Sequence, residues 1–257
     1  MKVRTTFVTA GTLVLCLAAA GCGPDGGEDG GAGGRATASR TPASGDGSAA
    51  TPGATAAPAP TPTTHGRTLT EAELAKVVLA TDEVAGYEIA PLEGTDERGT
   101  EEPGDKACRP ITAIINGSPE PAPAATVFRT AMDTREEGQD DQTVVTEILT
   151  SHPKGGAEEL LRSVRDAVRA CAGGFRTTSD DGPSTYTEVK TLPAAGAGQE
   201  SFAYQVTGSL EGVRVPLVFH LVRTGSTVVT FYAANYLTAT APEVPADLVT
   251  AQAAKLP

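Results

Sequence analysis

Few side chains in this chain carry reactive chemistry. The cysteines are Cys16, Cys22, Cys108 and Cys171, and the histidines are His65, His152 and His220. A serine hydrolase needs a Gly-x-Ser-x-Gly elbow, phosphate chemistry a glycine-rich loop before a lysine, and a zinc protease a His-Glu-x-x-His turn. None of these spacings occurs. No histidine stands at a metal-ligand spacing from a cysteine. His220 lies in a regular strand pattern, opposite Phe219 and Leu221. General-base work requires a cleft around it, and the pattern predicts a partly exposed strand histidine instead. The acid pairs Glu136-Glu137 and Asp140-Asp141 fall in a turn-forming stretch and read as solvated, without the calcium-loop pattern. The expectation is no enzyme, no metal and no cofactor.

Cys22 has a different chemistry. Lys2 and Arg4 precede an apolar stretch from Phe7 to Ala20, too short for a membrane span of roughly 20 apolar residues. Ala19-Ala20-Gly21-Cys22 then resembles the lipobox of bacterial lipoproteins, with Ala19 where that motif usually has Leu. The resemblance implies that residues 1–22 are a lipoprotein signal, cut before Cys22, and that the thiol of Cys22 receives a lipid. Two chains on one residue make a stable anchor where one is marginal, at ~0.8 kcal/mol per buried methylene. The expected location is the extracytoplasmic side of the cell membrane, anchored and not spanning. Residues 23–67 are rich in Gly, Ala, Pro and Thr and lack apolar periodicity, so they read as a disordered tether.

Residues 68–257 remain, long enough for one domain with a substantial core. They carry 28 acidic against 15 basic side chains, about −13 in net charge. Phosphate backbones would be repelled, which excludes nucleic acid as a partner. With Cys16 in the leader and Cys22 on lipid, Cys108 and Cys171 are an even pair in an exported domain, and a disulfide is the default reading.

The elements that position these residues follow from pattern. Leu69, Thr70, Glu73 and Leu74 read as a staple and capping box opening a helix. Residues 93–107 read as an acidic surface loop. A short helix begins near Pro110, just after Cys108. Residues 126–132 and 143–151 form a hairpin. Leu160, Leu161, Val164, Ala167, Val168 and Cys171 share one helix face, with Arg162, Arg165 and Arg169 on the solvated side. Strands follow at 184–192, 199–208, 213–223 and 227–236, and a helix closes the chain from about 245. Val213, Val215, Leu217, Phe219 and Leu221 alternate on one face, and Pro216 marks an edge or bulge. The predicted class is α+β, an antiparallel sheet of about five to six strands with helices packed on one face.

This order, with "ATDEVAGY", "RACAGGF" and a final helix ending near "AAKLP", is similar to the exported sensor-like domains of actinobacterial lipoproteins and the PknH-type extracellular sensor domain. Those domains usually hold two disulfides and tryptophans around a cleft, whereas this chain has one cysteine pair and no tryptophan. The resemblance implies a binding or sensing role and leaves the ligand open. The aromatics placed to line a pocket are Tyr87, Tyr204, Phe231 and Tyr232, with core packing as their competing role. The expected function is a membrane-anchored lipoprotein whose domain binds or senses an envelope component or small ligand. The other reading is an accessory protein that presents a surface to another protein.

Overall fold

The computed structural model describes residues 66–92, 98–135, 143–210, 212–235 and 239–257. Residues 1–65, which hold the expected leader, Cys22 and most of the expected tether, lie outside these residues, as do the two acid pairs of residues 136–141 and Tyr236.

The chain runs through α1 (Glu71–Val77), β1 (Tyr87–Pro91), β2 (Glu102–Pro103), α2 (Arg109–Ile115), β3 (Ala125–Asp133) and β4 (Val144–Ser151). It continues through α3 (Gly156–Ala170), β5 (Phe175–Ser179), β6 (Gly182–Leu192), β7 (Glu200–Leu210), β8 (Val213–Thr224), β9 (Thr227–Ala234) and α4 (Ala246–Lys255). The strands join in one antiparallel sheet, ordered β1-β3-β4-β9-β8-β7-β6-β5-β2.

The expected class holds, but two features of it do not. Nine strands form among the described residues, not five or six. The extra ones are short and lie at the sheet's ends. β1 includes Pro91 and pairs with β3, and β2 has two residues inside the stretch read as a loop. β5 returns into β6 through Asp180-Asp181, with Ser179 opposite Gly182. The second correction is that helices cover both faces. Along β8, Val215, Leu217, Phe219 and Leu221 pack on one side with α2 and α3, while Val218 and Val222 pack on the other with α1 and α4. A strand apolar on both faces needs cover on both, and the alternation noted in the sequence described only one of them. Pro216 sits inside the sheet opposite Thr207, one residue beyond the end of the β9 pairing, so β8 is one-sided at that point.

Local signals explain the helices. The Glu73 carboxylate accepts from the Thr70 N–H at 2.8 Å and from the Thr70 hydroxyl at 3.0 Å, while Leu69 and Leu74 are buried together. α3 buries Leu160, Leu161, Val164 and Val168 against Val189, Tyr204, Phe219 and Leu221. Each such leucine contributes roughly 2 kcal/mol through burial. Its arginines find carboxylates: Arg162 with Glu159, Arg169 with Asp166, and Arg165 with Glu200 on β7. The chain leaves α3 through Gly174 at φ +87, where a Cβ would lie 2.3 Å from the Tyr186 carbonyl oxygen.

Candidate functional site

The sheet face shared with α3 is only partly roofed. α3 lies over β6, β7 and β8. Cys171, which caps its C-terminal end, is bonded to Cys108, the residue before α2, with Cα atoms 5.9 Å apart. Two cavities open beside α2. One, of about 260 Å³, lies between Ile114 and Ile115 on the helix side and Phe128, Ile148 and Phe219 on the sheet side. The other, of about 410 Å³, lies among Glu101, Tyr186 and Val215. Ile115, Leu217 and Tyr232 line both, so the two form one groove along this face.

The sheet register builds its floor. Tyr204, Phe219 and Tyr232 stand side by side on β7, β8 and β9. Ring centroids are 4.9 Å apart for Tyr204 and Phe219, and 5.0 Å for Phe219 and Tyr232. Phe202 extends this row at 5.8 Å from Tyr204. Such offset aromatic pairs contribute ~1 kcal/mol beyond area burial. The row runs from under α3 out to the groove.

Two charges mark the groove. The Glu101 carboxylate accepts from Thr177 Oγ1 at 2.9 Å, Ser184 Oγ at 3.2 Å and the Tyr186 hydroxyl at 2.8 Å. The Arg98 guanidinium lies over the Phe128 ring, 4.5 Å from its centroid, and has no ion pair among the described residues. Asn116 at the end of α2 fixes the segment between them. Its Nδ2 donates to the Glu101 carbonyl at 2.9 Å, and its Oδ1 accepts the Glu101 N–H at 3.1 Å. Gly99 makes the approach possible, because a Cβ there would lie 2.5 Å from Asn116 Oδ1.

The residues singled out in the sequence fall in different places. The Cys108–Cys171 disulfide is formed as expected. Tyr232 lines the groove. Tyr204 belongs to the same face but is wholly buried, its hydroxyl without a partner among the described residues, and burial pushes that hydroxyl's pKa well up. Phe231 and Tyr87 lie on the opposite face. Tyr87 there accepts a 2.6 Å hydrogen bond from Arg135 and lines a separate polar cavity of about 340 Å³ with Asp133 and Asp247. The four aromatics therefore do not converge on one pocket.

His220 departs from its expected exposure. It is buried, because the interior strand β8 is covered on both faces. Its Nε2 lies 2.8 Å from Ser201 Oγ, and burial lowers its pKa. That distance is within reach of a nucleophile–base pair. His220 lines a cavity of about 200 Å³ among Pro193, Ala195 and Pro242, and Ser201 is not among its walls. The contact ties β7 to β8.

Arg98, Phe128 and Ile115 were not singled out in the sequence, and Leu217 was marked there only as part of an apolar strand face. The one signal pointing to Arg98 was its position as the single cation in the acidic stretch from Glu93 to Asp105. Among the described residues no group of three or more His, Cys, Asp or Glu could hold a metal ion, and no helix is long and apolar enough to cross a membrane.

No protein-family model and no curated protein matches this chain. The extracellular domain of PknH from Mycobacterium tuberculosis is a structural neighbour at 13% sequence identity. The match covers 74% of this chain and 95% of that one, with a TM-score of 0.46. At this level of similarity neither a ligand nor an activity passes from that domain to this chain.

Proposed function

We propose that this chain is an exported lipoprotein, held at the extracytoplasmic face of the cell membrane through Cys22, whose folded domain binds an envelope component or a small ligand in the groove beside α2. The observation that carries the binding role is the groove itself, a mainly apolar channel with one cation, one hydrogen-bonded carboxylate and a few neutral polar side chains at its walls. Concave, mainly apolar sites with few polar groups are the common form of small-ligand sites. Apolar ligand surface entering the groove would release water from Phe128, Ile148 and Leu217. The loop of Arg98 and the end of α2, joined through Asn116, would touch the ligand on the side away from the sheet. The proposed mode is binding without turnover. The disulfide supports the compartment, since such bonds persist outside the reducing cytosol.

A second reading, a surface for another protein, draws on the same face. Met132, Val144 and Val213, exposed at 45%, 44% and 54%, all project on the groove side of the sheet. Saturable binding of a small ligand favours the first reading, and capture of one protein through these three residues favours the second.

The anchor is tested by labelling cells with radioactive palmitate and fractionating them. The wild-type chain is expected in the membrane fraction with label, and Cys22→Ser is expected unlabelled in the soluble fraction. Retention of Cys22→Ser on the membrane at wild-type level contradicts the anchor.

A further inference from the structure

We infer that the groove selects an anionic amphiphile, with the head group on Arg98 and the alkyl chain lying over Phe128, Ile148 and Leu217. This rests on the ligand-binding reading above and adds the chemical class of the ligand.

The apolar half of the argument is the cavity of about 260 Å³. Ile114, Ile115, Phe128, Ile148, Leu217 and Phe219 give it a mainly hydrocarbon wall, interrupted by Thr146, Asn116 and Tyr232, and an alkyl chain is the simplest shape that matches the apolar part. The charged half is Arg98. Its guanidinium lies on the Phe128 ring, which covers one face of the cation, and among the described residues its in-plane N–H groups meet no carboxylate. Those donors match a carboxylate or phosphate in paired hydrogen bonds. Arg109, Arg135, Arg165 and Arg223 each hold a carboxylate of the protein. Arg98 holds none among the described residues, although the domain is strongly acidic.

The second charge sets the direction. Glu101 lines the adjoining cavity and its oxygens are occupied by the hydroxyls of Thr177, Ser184 and Tyr186. An anionic head would be repelled at that end and attracted at Arg98. Asn116 and Gly99 hold the Arg98 backbone against the end of α2, so the cation is placed before the ligand arrives. A cationic amphiphile has no counterpart to Arg98 and is repelled by it, and Glu101, its oxygens already taken by three hydroxyls, offers that cation charge without a free hydrogen-bond site.

The test is calorimetric titration of the full-length Cys22→Ser chain with three probes of one chain length: decanoate, 1-decanol and decyltrimethylammonium. Decanoate is expected to bind about tenfold more tightly than 1-decanol, the size of one charge-assisted contact. Decyltrimethylammonium is expected to bind most weakly. Arg98→Gln should bring decanoate down to the level of 1-decanol and leave 1-decanol unchanged, while Arg98→Lys restores part of the difference. Decyl phosphate in place of decanoate separates a phosphate head from a carboxylate, and preference for either supports the inference. Equal binding of decanoate and 1-decanol, or an unchanged decanoate affinity in Arg98→Gln, overturns the head-group assignment while sparing the groove. Failure of all the probes to bind overturns the ligand-binding reading as well.

Discussion

Cys108 and Cys171 are bonded across the gap between two helices, so the start of α2 is fixed to the residue that ends α3. α3 is held down by its own apolar stripe and by Arg223, which donates to Glu158 of α3 at 3.3 Å and to Glu200 of β7 at 3.0 Å. α2 is one wall of the groove and has seven residues, with Ile111 and Ile114 in the core. Its placement therefore depends on the disulfide more than that of α3 does.

Replacing both cysteines by alanine is expected to lower stability by about 4 kcal/mol, the chain-entropy value for closing a loop of this length. Urea unfolding of the oxidised wild type and the double variant measures it. The same variant is expected to bind groove ligands more weakly under conditions where it is still folded. A loss below about 1 kcal/mol would show that the bond adds little to what already holds α2 in place.

Glu147 gives a pH-dependent prediction. It projects from β4 between the sheet and the α1 and α4 layer, is 1% exposed, and its Oε1 has no partner among the described residues. Burial raises its pKa to about 8, against the opposing pull of Arg129 and Lys255. An unfolded glutamate titrates near 4.3. Between about pH 4.5 and 8 the folded chain keeps a proton that the unfolded chain has lost, so this group's contribution to stability falls as pH rises through that window. Glu147→Gln removes the effect. Its melting temperature relative to wild type is expected to be higher at pH 8 than at pH 4.5, and an equal difference at both pH values would contradict the assignment.

The parts of the fold legible in the sequence are those where one residue pattern has one physical meaning. Leu160, Leu161, Val164 and Val168 at spacings of one, three and four can share a helix stripe. Thr70 and Glu73 mark a helix start by their side-chain reach. The cysteine pair was legible because a domain with two cysteines has one internal pairing available. β8 shows the limit. Phe219 and Val218 are both apolar, and alternation tells which residues share a face without telling what lies above it. The second helical layer and the burial of His220 were therefore missed. β5 was missed because "FRTTS" follows a glycine stop and is only five residues long. The groove was not legible at all. It exists because α2 is short and α3 lies over β6, β7 and β8, and that uncovered area is a property of packing between residues distant in sequence. Tyr87 and Phe231 looked like partners of Tyr204 and Tyr232 by residue type, but strand register sends them to the other side.

The claim that the groove beside α2 receives an apolar ligand is tested most directly by filling it. Thr146 stands on β4 at the cavity wall, opposite Tyr232 of β9. The full-length Cys22→Ser chain is titrated with the neutral fluorophore N-phenyl-1-naphthylamine, with and without Thr146→Trp, and thermal melting confirms that both are folded. The account predicts saturable fluorescence enhancement at one site in the parent and its loss in Thr146→Trp. Enhancement that is absent in the parent, or equal in the folded Thr146→Trp chain, would contradict it.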